Sequence, residues 1–431
     1  MQYVQYCPLV NMLFSKVTFT ICVLLYAQIT EITGAQKYKD YVNYKYYEIK
    51  GSATSIENLK NALIEDSETL FYFSSKRSTE VVVAPEVNSK FQQITSAENL
   101  NATLLYNDIS KLISEEKVSP LRRGRRGFTW DAYYDVNYIY KYLQNMSKTY
   151  SEWTESIVGG QSYEKREIRG LRINTPTRNS ESKPVFFIES GIHAREWIAP
   201  ATTTYFINQL LTSADPNVTR LRDQFDWRIF PTVNPDGYHY SHTFDRMWRK
   251  TRSVSSNGCI GADPNRNWDY NWGQESSSHK PCNYQLYCGS KPFSEVETRS
   301  LSSYISTIDN LLFYVSFHSA AAILLLPMSD SKEHVDNYDD LIQIGKASLD
   351  YGAKVNNVRY EDIGTAAEIL YPASGGSMDW VRHTFETPLV YTYELRGNSF
   401  HWPPSRIPEQ GEEVVQMIRG LATEAKKLNY F

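Results

Sequence analysis

The chain has 431 residues, and its 45 Lys and Arg residues nearly balance its 49 Asp and Glu residues, for a formal net charge of −4. This length allows more than one domain. The near-neutral balance argues against a nucleic-acid-binding protein that works by neutralising phosphates. Hydrophobic residues make up 41% of the chain, so a packed core is feasible.

The first predicted element is a short apolar run, Val17–Ala27, with Lys16 before it and small residues near Gly34 after it. Its length suits the core of a secretory signal peptide and is too short to span a bilayer. A buried strand is the weaker alternative, because polar sequence follows at once. We therefore expect residues 1–35 to be the signal peptide of a secreted, extracellular protein without a membrane span, and we hypothesise that Met12 is the true start.

Cysteines and glycosylation signals agree with an oxidising compartment. Cys7 and Cys22 would leave with the leader, and the three that remain predict one disulfide and one free thiol. Those three are Cys259, Cys282 and Cys288. Asn-x-Ser/Thr signals, each weak alone, stand at Asn101, Asn145 and Asn217.

A basic segment, Leu121–Gly127 (LRRGRRG), divides the rest of the chain. Arginines beside glycine form a flexible loop that a trypsin-like protease would cut. A solvated basic loop that is never processed is the alternative. The segment predicts three parts: residues 1–35, residues 36–126 and residues 127–431.

The part before the basic segment is predicted to be a small α+β open sandwich. Its elements follow the order βαββαβ, and apolar spacing at Ile56, Leu59 and Leu63 indicates the first helix. It holds no cluster of His, Cys or carboxylates with a chemical spacing, so a regulatory or folding role is favoured. The predicted elements are strand 44–50, helix 56–66, strands 69–74 and 80–84, helix 87–95 and strand 101–106.

The part after the basic segment alternates short apolar strands with helical patterns. This order predicts an α/β fold with a mixed, largely parallel central sheet flanked by helices. Sites in such sheets gather at the C-terminal ends of strands. The predicted strands are 185–189, 227–230, 311–317 and 389–393, with a helix at 201–211.

A candidate metal site follows two of these strands. His193 and Glu196 stand three apart on a turn where Gly191 permits a tight bend. Imidazole nitrogen and carboxylate oxygen are good zinc ligands, and catalytic zinc sites use three protein ligands plus water. His-x-x-Glu alone is weak evidence, so a third ligand is needed. His318, at the end of strand 311–317, is the best candidate among the chain's 8 histidines.

Seven ordered motifs make the chain resemble the zinc carboxypeptidases of the pancreatic carboxypeptidase A/B type. The resemblance covers nearly all of residues 127–431, and the preceding part resembles the activation propeptide of that family's procarboxypeptidases. The motifs are GIHAREWIAPA, PTVNPDGYHYS, RMWRKTRS, DPNRNWD, FHS, ASGGSMDW and YTYELRGN.

The resemblance implies one zinc ion held by His193, Glu196 and His318. It makes Asp263 the residue that orients the first histidine, although a turn residue before proline is the alternative. Glu394 matches the catalytic glutamate, with an ion pair to Arg396 as the alternative. Arg249 matches the residue that polarises the scissile carbonyl and stabilises the oxyanion.

The resemblance also implies how the substrate is held. Asn265 and Arg266 match the pair that binds the terminal carboxylate, which demands a fixed guanidinium and an amide donor. Tyr371 matches the mobile tyrosine that closes over substrate. Arg195 matches a residue that contacts the substrate further from the cleaved bond, and Ser319 joins these substrate-binding residues. Cys259 and Cys282 match a family disulfide, while Cys288 is an extra cysteine that could instead pair with Cys259.

Specificity depends on the pocket for the departing side chain. Members that cut after Lys or Arg have Asp after Gly-Gly-Ser, where this chain has Met378, so an apolar or aromatic C-terminal residue is expected. Asp379 matches a residue shared by both types. Ala320 replaces a usual aromatic residue and is expected to open the neighbouring subsite. The other aligned pocket positions are Leu325, Ser329, Ala366 and Thr392.

The resulting expectation is a secreted, monomeric, digestive enzyme that acts on peptide and protein C-termini and stays inactive until a trypsin-like protease cuts near Arg122–Arg126. Two rival functions would require other residues. A non-catalytic binding protein on this fold would be expected to lose a ligand or the base. A zinc amidohydrolase that acts on internal or non-peptide amides would have no need for the residues that bind a terminal carboxylate.

Overall fold

Two sheets organise the chain, and both lie within the compact unit Asp40–Phe431 of a computed structural model. The structure describes residues 38–63, 69–74, 78–116, 127–176, 182–397 and 400–431. The predicted signal peptide, residues 1–35, and the arginines of the basic segment lie outside the described residues. Within the described ranges, no helix is both long and apolar enough to cross a membrane.

The N-terminal region, Asp40–Glu116, contains an antiparallel sheet with strand order β2-β3-β1-β4. Helix α1 (Ala53–Leu63) buries Ile56, Leu59 and Leu63, so the predicted apolar spacing is confirmed. The short helix α3 was not predicted. Its strands are β1 (Lys45–Lys50), β2 (Thr69–Ser74), β3 (Ser78–Val83) and β4 (Asn101–Tyr106), and its helices are α1 (Ala53–Leu63), α2 (Asn88–Ala97) and α3 (Ser110–Glu116).

The second sheet has eight strands in the order β11-β10-β12-β9-β7-β8-β6-β5. Among its neighbouring pairs in the described part of the chain, four are parallel and three are antiparallel. The strands are β5 (Thr154–Gln161), β6 (Glu167–Ile173), β7 (Val185–Ser190), β8 (Asp226–Phe230), β9 (Leu311–Ser319), β10 (Ile323–Leu326), β11 (Asp362–Thr365) and β12 (Leu389–Leu395).

Helices cover both faces of this sheet, which confirms the predicted mixed α/β fold. One apolar cluster contains Phe186 and Ile188, and the other contains Phe187, because successive side chains of a strand face opposite sides. The helices are α4 (Val136–Thr149), α5 (Ile198–Thr212), α6 (Pro216–Gln224), α7 (Pro235–Thr243), α8 (Val296–Ile305), α9 (Tyr338–Asn356), α10 (Ala366–Ile369), α11 (Ser377–Phe385) and α12 (Ile407–Lys427), with a short 3₁₀ turn at Pro404–Arg406.

Two strands are longer than predicted, and this changes where two candidate residues sit. β9 continues to Ser319 and β12 to Leu395. His318 and Glu394 therefore lie within the paired ends of these strands rather than just beyond them. Backbone pairing fixes both side chains more firmly than a loop would.

Candidate active site

The backbone around His193 and Glu196 is set by the end of β7. This strand is buried along its whole length and leads into Gly191, which has a φ of 66°. A Cβ at Gly191 would lie 3.0 Å from Pro200, so both the conformation and the close approach favour glycine. The chain then turns through His193 and Glu196 and enters α5.

Strand pairing brings the third histidine and the glutamate to the same place. β7 and β9 are parallel, with Ser190 opposite Phe317, so His318 lies just past the end of β7. β9 and β12 are also parallel, and their register sets Glu394 opposite His318. Three adjacent strands therefore deliver the candidate ligands and the candidate base to one edge of the sheet.

The three candidate ligands form a tight cluster. One donor atom from each of His193, Glu196 and His318 lies within 4.8 Å of the others. Glu196 Oε1 is 2.8 Å from His193 Nδ1, and its Oε2 is 3.1 Å from His318 Nδ1. All three side chains are buried. Two imidazoles and a carboxylate that converge in this way fit a zinc ion.

The electrostatics of the cluster favour a positive charge. Burial raises the pKa of Glu196, but the two histidines outweigh it and hold that pKa well below its usual range. Burial lowers the pKa of His318, but the neighbouring Glu196 raises it to about 9. A divalent cation is stabilised beside a carboxylate that stays ionised and an imidazole ring whose surroundings favour positive charge.

Asp263 and Arg249 lie next to the candidate ligands. Asp263 Oδ1 is 3.1 Å from His193 Nε2, and Asp263 Oδ2 accepts hydrogen bonds from Arg249 Nη2 at 2.8 Å and Nε at 3.1 Å. Burial raises the pKa of Asp263, but Arg249 and His193 hold it well below its usual range. The ionised Asp263 thereby fixes the far nitrogen of one candidate ligand and the guanidinium beside it.

An open cleft lies in front of this cluster. Glu394 is half-buried in its wall. Burial raises the pKa of Glu394 to about 7, with the charge of His318 opposing the shift and that of Glu196 adding to it. A carboxylate whose pKa is near neutrality can both accept and return a proton. Residues that line the cleft include His193, Glu196, Arg249, Asn265, Arg266 and Tyr371.

Asn265 and Arg266 are held in place from behind. Asn265 accepts a hydrogen bond from the backbone of Ser377 at 3.0 Å, and Arg266 donates from Nε to the carbonyl of Ser276 at 3.0 Å. Gly375 has a φ of 71°, and a Cβ there would lie 2.5 Å from the carbonyl oxygen of Arg266. This glycine lets the DPNR and SGGS segments approach each other closely.

Five residues of the lining, which we call the floor of the cleft, carry no charge: Met378, Thr392, Leu325, Ser329 and Ala366. Met378 is 5% exposed, and the Thr392 hydroxyl contacts its sulfur at 3.4 Å. Leu325 lies directly opposite Thr392 in the pairing of β10 with β12. Ser329 and Ala366 also line the cleft. Asp379 lies beneath this floor, buried, and accepts two hydrogen bonds from the backbone of Ser329.

Three residues predicted for the site lie behind the cleft rather than in its wall: His318, Asp263 and Arg195. The Arg195 guanidinium stacks 4.3 Å from the ring centroid of Phe400 and donates to Gln285 at 3.1 Å. Ser319 and Ala320 do line the cleft. Phe400 and Gln285 were not predicted. Phe400 lies in the loop after Glu394, where only contacts distant in sequence could have identified it.

The disulfide joins Cys259 and Cys282, with Cα atoms 5.1 Å apart, and Cys288 is a buried free thiol. This arrangement confirms the pairing that the resemblance implied and rules out the alternative with Cys288. Burial raises the pKa of Cys288 to about 11, so its thiol is protonated at neutral pH.

Comparison with known proteins agrees with this geometry. Residues 139–417 match the peptidase M14 family, zinc carboxypeptidase. A zinc carboxypeptidase of Simulium vittatum is 44% identical over 305 residues, which cover 69% of this chain and 98% of that protein. Zinc carboxypeptidase A 1 of Anopheles gambiae is 34% identical over 402 residues, with 91% of this chain and 92% of that protein covered.

A solved structure extends the similarity to most of the chain. The crystal structure of carboxypeptidase A from Helicoverpa armigera superposes with a TM-score of 0.80 at 26% identity, and covers 90% of this chain and 99% of that one. The chain belongs to the zinc carboxypeptidase family. It is a metallocarboxypeptidase, and one zinc ion is its cofactor.

Proposed function

We propose that this chain is a secreted zymogen of a zinc carboxypeptidase that removes apolar or aromatic residues from peptide C-termini, with a digestive role. The observation that carries the proposal is one cleft with two kinds of lining. His193 and Glu196 of the buried cluster line it, and so does the uncharged floor that contains Met378. Arg266 lines the same cleft.

We assign His193, Glu196 and His318 as the zinc ligands and Asp263 as the residue that orients His193. When bound, the zinc ion supplies Lewis acidity that activates water and polarises a carbonyl group. Glu394 accepts a proton from the attacking water and returns it to the nitrogen of the departing amino acid. Arg249, fixed by Asp263, donates to the oxygen on which negative charge develops.

We assign Asn265, Arg266 and Tyr371 to the terminal carboxylate of the substrate. A guanidinium can donate to both oxygens of that group, and a substrate without the free carboxylate loses this contact. Ser319 and Arg195 bind substrate residues further from the cleaved bond. Arg195 acts there through Phe400, on which its guanidinium stacks. These residues make the enzyme an exopeptidase in our proposal.

The preference for apolar or aromatic residues rests on Met378. Its thioether, held by Thr392, offers dispersion contacts to an apolar side chain and no charge to a cation. Leu325 and Ala366 extend the same uncharged surface. A lysine or arginine side chain would lose its hydration here without gaining an ion pair.

We further propose that residues 1–35 are a signal peptide, 36–126 an activation propeptide and 127–431 the catalytic domain. The exposed positions of Asn101, Asn145 and Asn217 and the Cys259–Cys282 disulfide support secretion. Lys60 of the N-terminal region lies 5.4 Å from the ring centroid of Tyr371, which supports a covering role for that region.

The test compares Phe-, Leu- and Arg-terminated peptides before and after treatment of the purified chain with trypsin, with and without a zinc chelator. We expect activity to rise after trypsin, to favour Phe and Leu over Arg, and to stop with the chelator. Faster cleavage of the Arg peptide would reject the preference. Unchanged activity after removal of residues before Gly127 would reject the zymogen.

A further inference from the structure

A buried tryptophan shortly after β12, Trp402, contacts two arginine side chains. The guanidinium carbon of Arg396 is 5.0 Å from its ring centroid, and that of Arg406 is 4.3 Å from it. Guanidinium groups are attracted to the face of an indole ring. Arg396 precedes Phe400 in the chain and Trp402 follows it, so the contact joins the two sides of the segment that carries Phe400. We call Arg396, Trp402 and Arg406 the clasp.

Two carboxylates of α12 hold both arginines of the clasp. Arg396 donates from Nε to Glu413 at 2.7 Å and from Nη2 to Glu409 at 2.8 Å. Arg406 donates to each oxygen of Glu409 at 2.9 Å. Hydrogen bonds from Arg406, and to a smaller extent from Arg396, lower the pKa of Glu409 to about 2, against the effect of burial. Glu409 therefore stays ionised at neutral pH and links the two arginines.

The side of the clasp that adjoins β12 is buried and fixed through its backbone as well. Arg396 and Trp402 are each 6% exposed. The backbone N–H of Arg396 donates to the Tyr360 hydroxyl at 3.2 Å, and the carbonyl of Trp402 accepts from the Tyr133 hydroxyl at 2.8 Å. Removal of one partner from a buried ion pair leaves an uncompensated charge, so this arrangement has little freedom to change.

Phe400 connects the clasp to the cleft. It lines the cleft, the guanidinium of Arg195 stacks on its ring, and its carbonyl accepts from Arg246 at 2.8 Å. The three residues of the clasp are not among the described residues that line the cleft. An effect of the clasp on a substrate would therefore pass through Phe400.

We propose that the clasp positions Phe400 and thereby sets the affinity for substrate residues beyond the two that flank the cleaved bond. The inference rests on the proposed function, in which Arg195 acts through Phe400 on that part of the substrate. A surface that is fixed before the substrate arrives binds it with a smaller loss of conformational freedom. The clasp residues are thus positioning residues, and they should govern KM for long peptides rather than kcat.

The experiment uses the trypsin-treated, zinc-loaded chain and two substrates. One is an N-blocked dipeptide that ends in Phe, and the other is a hexapeptide that ends in the same two residues. Steady-state kinetics give kcat and KM for each. Because only the hexapeptide reaches beyond the cleaved bond to Phe400, we expect the original chain to have a kcat/KM at least about fivefold higher for it.

Two variants of the clasp test its role. Trp402→Phe removes the indole face but keeps an aromatic ring, and it breaks no hydrogen bond of the described residues, among which Trp402 Nε1 has no partner. Arg396→Lys keeps the charge but loses the two-point contact with α12. In both variants we expect KM for the hexapeptide to rise about 5 to 20-fold, with kcat and the dipeptide constants within about twofold.

Matched controls remove the same kinds of contact from residues that do not line the cleft. Trp153→Phe changes a tryptophan whose ring centroid lies 4.6 Å from the guanidinium of Arg222. Arg172→Lys changes an arginine that donates to both oxygens of Asp226 at 2.9 Å. Both controls should behave as the original chain on both substrates.

Phe400→Ala tests the route from the clasp to the substrate. This variant should itself raise KM for the hexapeptide, and the addition of Trp402→Phe should then change that KM by less than about twofold, because the clasp no longer has a ring to position. A further rise as large as that of Trp402→Phe alone would overturn the route through Phe400.

The possible outcomes separate this inference from the proposed function. Equal losses on the dipeptide and the hexapeptide would overturn the inference, and so would unchanged kinetics in both clasp variants. If Arg396→Lys fails to fold, Trp402→Phe against Trp153→Phe decides the same point. Equal kcat/KM for the two substrates in the original chain would overturn the inference alone, whereas an original chain that cleaves neither substrate would overturn the proposed function.

Discussion

The buried cluster of candidate zinc ligands and the uncharged floor of the cleft differ in how their side chains are held. At the buried cluster, Glu196 and Asp263 each have at least three partners, and neighbouring positive groups hold their pKa values low. At the floor, Met378 and Leu325 are fixed by packing and by the pairing of β10 with β12. Charge networks fail when one member is removed, whereas apolar surfaces tolerate exchange. Hydrolysis should therefore depend on single residues of the buried cluster, and selectivity on the shape and charge of the floor.

The largest effect is expected from Glu394→Gln. The amide cannot accept a proton from water, so kcat should fall by about 10³-fold while KM changes little. Steady-state kinetics on a Phe-terminated peptide would measure both constants. Zinc content, measured by atomic absorption, should stay the same.

Glu361→Gln, at an exposed position, is the matched control for Glu394→Gln and should keep full activity. Retention of more than half of the activity by Glu394→Gln would show that hydrolysis proceeds without this base.

Arg266→Lys should have the next largest effect. Lysine keeps the positive charge but cannot donate to both oxygens of a carboxylate, so kcat/KM should fall by about 100-fold. The exposed Arg359→Lys serves as the control. An unchanged kcat/KM would mean that the terminal carboxylate binds elsewhere.

Met378→Asp tests the floor. A carboxylate at this position would pair with a cationic side chain, so the ratio of kcat/KM for Arg- against Phe-terminated peptides should rise by about 10 to 200-fold. Met378→Leu keeps the floor apolar and should shift that ratio by less than about threefold. Similar ratios in both variants would show that Met378 does not determine selectivity.

The smallest effect concerns stability and comes from Asp379, beneath the floor. Burial, with a contribution from Asp330, raises its pKa to about 7 despite hydrogen bonds from Ser329. A raised folded-state pKa gives a stabilising contribution that is complete below the unfolded value near 4 and is lost as the pH rises through about 7.

Asp379→Asn should remove this dependence on pH. Between pH 5 and pH 8 the original chain should lose about 2 kcal/mol of unfolding free energy more than the variant does. Urea unfolding at both pH values measures the difference, and Asp362→Asn, at an exposed position, is the control. Equal losses of unfolding free energy in the original chain and Asp379→Asn would show that the Asp379 carboxylate is already ionised in the folded state.

Local patterns predicted most of the elements that carry the site. Apolar runs gave β7 and β9, and apolar spacing gave α1, although β9 and β12 extend two residues further than predicted. The reason is that His318 and Glu394 are polar residues which pairing with a neighbouring strand keeps in the sheet. Hydrophobicity alone could not assign them to a strand.

Contacts between distant segments were beyond prediction from one sequence. Glu116 meets Arg246 across 130 positions and His401 across 285. Neither side of this contact has a local signature, since a Glu at the end of a short helix and an Arg near a tryptophan are common. The resemblance supplied residue roles, but the anchoring of the N-terminal region emerged only from the structure.

The most direct test of the central claim uses two versions of one Phe-terminated peptide, with a free C-terminal carboxylate and with a C-terminal amide. The trypsin-treated, zinc-loaded enzyme should release free phenylalanine from the first and cut the second at least about 100-fold more slowly, because the amide offers no carboxylate to Arg266. A chelator should stop both reactions. Equal cleavage of the two peptides, or cleavage at an internal bond, would contradict a zinc carboxypeptidase that recognises chain ends.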